Sequence, residues 1–206
     1  MKNRLLYVVF SATPLKMGSV IRSVTREKYN HVSISFDPEL KILYSFARHY
    51  KNAPLYGGFV RETPIRYMDN GKTADIFVCA LPITENEYLE IIEKIKMLAK
   101  SRSCHYNMLS AATSIISRRV FIKNCYTCIE FAVHILSGIV PEISENGFYG
   151  IEDLRQILKD YEIYSGKFPN IETKADPDYE RKISLADLFY YTVKGEVELI
   201  KAVVKK

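Results

Sequence analysis

The sequence predicts an α+β fold, an antiparallel sheet packed against helices. Three observations predict it: apolar runs and strict apolar/polar alternation fill the first third, helical periodicity takes over after residue 84, and turn residues separate the early strands closely enough for hairpins.

Leu5 to Ser11 is an unbroken apolar run and reads as a buried first strand. Met17 to Arg26 has helical spacing. His31 to Phe36 alternates, with Val32, Ile34 and Phe36 on one face and His31, Ser33 and Ser35 on the other. Asp37-Pro38-Glu39 supplies a turn, and Lys41 to Phe46 returns as its partner strand. Phe59 to Ile65 and Thr73 to Leu81, the latter closed by Pro82, extend the meander. Thr84 with Glu87 three residues later is a capping box, and Leu89, Ile92, Ile95 and Leu98 follow as the expected buried face.

A second helical stretch is expected over Met108 to Ile116. A third opens at Cys128, carries Ile129, Phe131, Ala132, Ile135 and Leu136, and ends before Gly138. Gly150 to Leu158 predicts a helix and Tyr161 to Ser165 a late strand. Residues 169–182 are polar with two prolines and read as an exposed loop, followed by a C-terminal extension from Ser184. A chain of 206 residues suits one domain better than two, here taken as 1–206.

Composition narrows the function. Hydrophobic residues make up 48% and charged residues 26%, mixed in sign, which excludes a disordered polyelectrolyte. The net charge of +5 is scattered without a basic stripe, so nucleic acid is not an expected partner. A mildly basic face suits an anionic substrate or membrane surface. The apolar run after Met1 is too short for a signal peptide, and no stretch reaches the roughly 18 apolar residues of a membrane span. A cytoplasmic protein without stable membrane insertion is expected, with Cys79, Cys104, Cys125 and Cys128 reduced.

Cys128 begins an apolar helix, where free N–H groups and the helix dipole favour a thiolate. The plain alternative is a small buried hydrophobe. Among His31, His49, His105 and His134, only His31 opens a strand with a polar face behind it, a rigid mount for a base. His134 shares the Cys128 helix but lies six residues on and faces elsewhere. Cys125-x-x-Cys128 also admits a redox pair, which wants a βαβ context, or a zinc site, which wants a second spaced pair; neither accompanies it. For a third member that orients the imidazole, Ser45 is preferred on hairpin register, with Tyr44 reached by a one-residue slip and Glu62 on the next strand as the charged alternative.

Tyr29-Asn30-His31-Val32-Ser33-Ile34-Ser35, Tyr44-Ser45-Phe46-Ala47-Arg48, Gly58-Phe59-Val60-Arg61-Glu62, Tyr106-Asn107 and Cys128-Ile129-Glu130-Phe131-Ala132 occur in an order that resembles bacterial circularly permuted papain-like proteins of the NlpC type. The resemblance runs from about Leu5 to Phe168. It implies a papain-like fold, an antiparallel sheet or partial barrel packed against helices, and a cysteine peptidase or amidase acting through a thioester, with His31 as base, Cys128 as nucleophile and a third polar position near Ser45. Lecithin retinol acyltransferase is a lipid-acting relative, so a lipid acyltransferase or lipid hydrolase at a membrane surface is the alternative activity, and a catalytically silent binding module is the alternative class. Small peptides, amides or acyl esters are the implied substrates, and no metal or organic cofactor is required. Ile129 and Glu130 replace the family's usual Ser and Gln, and Ala47 a usual Gly. A carboxylate at Glu130 is expected to work against a thiolate.

Overall fold

The structure, a computed structural model, describes residues 4–14, 18–19, 22–23, 26–53, 56–101, 105–107, 122, 125–169, 171 and 176–204. In chain order these form β1 (Arg4–Ala12), β2 (His31–Ser35), β3 (Leu43–Arg48), β4 (Gly57–Glu62), a 3-10 turn (Pro64–Tyr67), the short ribbon β5 (Met68–Asp69) and β6 (Lys72–Thr73), and β7 (Asp75–Ile83). Then come α1 (Glu85–Lys100), β8 (His105–Tyr106), β9 (Cys125–Tyr126), α2 (Cys128–Leu136), α3 (Ile151–Ile157), β10 (Glu162–Lys167), α4 (Pro177–Glu180) and α5 (Leu185–Val204). The main sheet runs β10-β7-β1-β2-β3-β4-β8-β9 and is antiparallel except for the parallel pair β8–β9. The fold is α+β with a mostly antiparallel sheet.

Both faces of this sheet are covered, which is why β1 reads as a continuous apolar run. Leu6, Val8 and Phe10 join one core with Val32, Ile34 and Phe46. Tyr7 and Val9 face a second, smaller core with Leu43, Tyr67 and Phe168. The first core receives the helices: Ile91, Ile95 and Leu98 from α1, Phe131, Ile135 and Leu136 from α2, and Leu154 from α3. Phe131 meets Phe46 and Phe59 at ring distances of 5.7 and 5.8 Å and so seats α2 across β3 and β4.

Three expectations need correction. Leu89 is exposed and Ile91 is buried in its place, because residues 91, 95 and 98 share a helix face from which position 89 is turned by roughly 200°. Pro82 lies inside β7 rather than ending it; β10 pairs with β7 only as far as Cys79, so the missing N–H falls beyond that partner's reach. Segment 169–182 is not simply an exposed loop. It contains α4, buries Tyr179, and is tied down where Arg66 Nε donates to Asp176 Oδ2 at 3.0 Å and Lys51 N–H donates to the Tyr179 carbonyl at 2.8 Å. The C-terminal extension is the long helix α5. The helix expected over 108–116 lies outside the described residues, and that over 17–26 lies largely outside them. Among the described residues, no helix is long and apolar enough to cross a membrane.

Candidate functional site

Cys128 is the first residue of α2, and the helix begins there because Thr127 caps it. Thr127 Oγ1 accepts the Glu130 N–H at 3.1 Å, and Glu130 Oε2 accepts the Thr127 N–H at 2.7 Å. Glu130 is therefore a capping residue; its Oε2 also accepts Asn107 Nδ2 at 3.4 Å. The departure noted at this position holds the helix start in place. By their positions, the N–H groups of Cys128 and Ile129 have no acceptor within the helix.

β2 delivers His31 to this helix start. The imidazole is engaged by the Cys128 side chain and by Glu62. His31 Nε2 lies 3.1 Å from Glu62 Oε1 and 3.2 Å from Oε2. A carboxylate only accepts, so Nε2 carries a proton and Nδ1 is the nitrogen left for the sulfur. Cys128 and Glu62 are buried, and the His31 side chain is 12% exposed.

Glu62 is fixed from behind. Tyr67 donates its hydroxyl proton to Glu62 Oε2. With that proton committed, Ser33 Oγ, 2.9 Å away, is the donor to the Tyr67 oxygen. Tyr67 stacks on Phe168 at 4.7 Å, which holds its ring in the smaller core. The result is a continuous chain: Ser33, Tyr67, Glu62, His31, Cys128.

Charge follows this geometry. Burial opposes a charged His31, but the Glu62 carboxylate and the hydrogen bonds to Cys128 and Glu62 outweigh it, and the ring is pushed up to about 10. Burial likewise opposes an ionised Glu62; the His31 charge and hydrogen bond, Arg66 and the Tyr67 hydroxyl bring it down to about 2. Burial beside Glu62 drives Tyr67 well above the ordinary tyrosine range, so it stays a donor.

Of the predicted positions, the structure brings Cys128, His31 and Glu62 together. Ser45, preferred as the orienting residue, is not brought to them: its Oγ is buried without a hydrogen-bond partner. β2 and β3 pair only through Ile34 and Tyr44, so His31 and Ser45 are not cross-strand partners, and a hydroxyl one atom beyond Cβ cannot bridge what the longer Glu62 side chain bridges from β4. Tyr44 stacks on Phe59 at 6.2 Å instead. Sequence reasoning missed Tyr67, which sits in the 3-10 turn and belongs to no alternation. Ser33 was visible as part of the polar face behind His31.

The other candidates lie apart from this chain of bonds. His134 Nδ1 bonds Glu145 Oε1 at 2.6 Å. His49 packs on Tyr56, and burial with nearby Arg66 lowers it to about 4. Cys79 and Cys125 are buried, and burial pushes Cys79 up to about 12. Cys104 lies outside the described residues.

Comparison with family models, with curated proteins and with solved structures returns no match.

Proposed function

We propose that this chain is a cysteine-dependent hydrolase of the permuted papain-like kind, acting on peptide or amide bonds with Cys128 as nucleophile, His31 as acid and base, and Glu62 as orienting carboxylate. The observation that carries the reading is that one imidazole meets both a helix-start thiol and a buried carboxylate, the carboxylate at 3.1 Å. The chain order, with the histidine strand ahead of the cysteine helix, fits the permuted arrangement.

In this reading the thiol proton already rests on His31, and Sγ attacks the carbonyl carbon as the thiolate. The oxyanion is met by the Cys128 N–H at the start of α2. The C–N bond breaks as His31 returns the proton to the leaving amine, and a thioester remains. Water then attacks it, His31 accepts a water proton and gives it to the departing sulfur, and a carboxylic acid is released. The Nε2 to Glu62 bonds hold the ring in the tautomer that presents Nδ1 to sulfur throughout.

The test is iodoacetamide alkylation against pH in the wild type and in His31→Ala, with the modified cysteine located by peptide mass spectrometry. Faster, His31-dependent labelling at Cys128 near neutral pH supports the proposal. Equal rates would assign the chain to the binding modules instead. Acyl transfer from lipid esters is the second reading, favoured by the exposed apolar side of α5, a helix whose other side packs on β8.

A further inference from the structure

Helix α5 has two unlike sides. One is seated on the body: Tyr191 packs on Tyr50 and Tyr56, each at 4.9 Å, and Lys194 lies 5.4 Å from the Tyr56 ring centre. The other side is apolar and open. Leu185 is 86% exposed, Phe189 73%, Tyr190 58% and Ile200 60%, with Val193 and Val197 at 40% each. At 100° per residue Phe189, Tyr190, Val193, Val197 and Ile200 fall within an arc of roughly 100° that holds no charged position, and Glu196 separates Leu185 from it. An apolar face this continuous is not ordinary protein surface.

Charge identifies what it meets. Arg181 and Lys182 are exposed just before the helix, Lys194 and Lys201 follow along it, and Lys205 and Lys206 come next in sequence. From Arg181 to Lys206 there are six basic residues against three acidic ones, Asp187, Glu196 and Glu198. By helical position Lys201 borders the apolar arc on the side of Tyr190, as basic residues of an interfacial helix do, while Lys194 donates to the Tyr56 hydroxyl on the seated side. A second copy of the chain on this face would set one positive excess against another. An anionic lipid surface would neutralise it.

We propose that α5 lies flat in an anionic membrane surface, its apolar arc at the boundary of headgroups and acyl chains. Tyr191 and the packing of α5 on β8 fix the helix to the body, so the docked molecule presents one defined side to the lipid. The proposal is independent of the thiol chemistry, since no residue of the Cys128, His31 and Glu62 constellation belongs to it.

The test is flotation of the full chain with vesicles of phosphatidylcholine alone and of phosphatidylcholine mixed with phosphatidylglycerol. Binding is expected to the mixed vesicles, to weaken with added salt, and to be weaker on neutral ones. Phe189→Glu with Ile200→Glu lowers partitioning about tenfold or more, because apolar contact is lost and charge is added. Arg181→Ala and Lys182→Ala each lower it about fivefold, on anionic vesicles only. Circular dichroism and an unchanged cooperative thermal transition show that the variants remain folded. Failure to float with either vesicle, or undiminished binding of the double Glu variant, overturns the proposal. So does sedimentation equilibrium showing a dimer that Phe189→Glu dissociates while vesicles stay unbound, which gives the face to a second copy.

Discussion

Glu62 presents both carboxylate oxygens to His31 Nε2, at 3.1 and 3.2 Å, from a strand that does not pair with the histidine's own. Glu62→Gln keeps the shape and removes the charge that offsets His31's burial. The imidazolium loses its principal support. Stability is expected to fall by about 3 kcal/mol near pH 6, as when one member of a buried ion pair is neutralised. Cys128 alkylation at neutral pH should slow about tenfold or more, because the ring is no longer held and charged for the thiol. Urea denaturation and labelling rates measure both.

The same pair sets a pH window for stability. His31 is raised from 6.5 to about 10, so its contribution is complete below the unfolded value and is lost as pH rises through about 10. Glu62 is lowered from 4.5 to about 2, so its contribution is complete above the unfolded value and is lost as pH falls through about 2. Both are fully present between 4.5 and 6.5. The wild-type minus His31→Ala difference in melting temperature should be largest in that window and shrink toward either extreme; a difference that is flat with pH contradicts a charged pair.

Tyr67→Phe tests the support behind the carboxylate. It removes the hydroxyl that donates to Glu62 and leaves Ser33 Oγ without its acceptor. A loss of about 1 to 3 kcal/mol is expected. Glu62 should then be easier to protonate, so the acidic fall in stability moves to higher pH. A simple packing role for Tyr67 would lower stability evenly across pH, and that contrast decides between the two.

How much of this was legible in sequence depended on periodicity. The strand carrying His31 and the helix carrying Cys128 were readable because alternation and an apolar helical stripe mark them over five and nine residues. Their meeting was not encoded in either pattern, since it depends on α2 packing over β2 and β3. Glu62 was placed on the right strand, but Ser45 was preferred because hairpin register was extended beyond the single Ile34–Tyr44 pair. Tyr67 had no signal, since one residue in a 3-10 turn carries no repeat. Tyr179 was hidden likewise: composition marked 169–182 as polar, and the contact of Arg66 with Asp176 that tethers it is non-local.

Ser45→Ala should be tolerated. A buried hydroxyl without a partner costs desolvation and returns nothing. The substitution is expected to leave stability unchanged or raise it by up to about 1 kcal/mol. Cys128 labelling should be unaltered. A loss of His31-dependent labelling would restore Ser45 as the orienting residue.

Two identical caps separate helix stability from thiol placement. Thr127 and Thr84 each begin a helix with a complete capping box, closed by Glu130 and Glu87 respectively. Replacing either threonine with alanine removes the acceptor for the third N–H and should cost about 1 kcal/mol. Only Thr127 precedes the thiol, so only there does fraying move Sγ relative to His31. Thr127→Ala should therefore slow Cys128 alkylation about threefold or more, because the nucleophile's geometry rests on that first turn. Thr84→Ala should lose similar stability in urea and leave labelling as in the wild type. If both variants label alike, the start of α2 does not position the sulfur, and the cap is structural only.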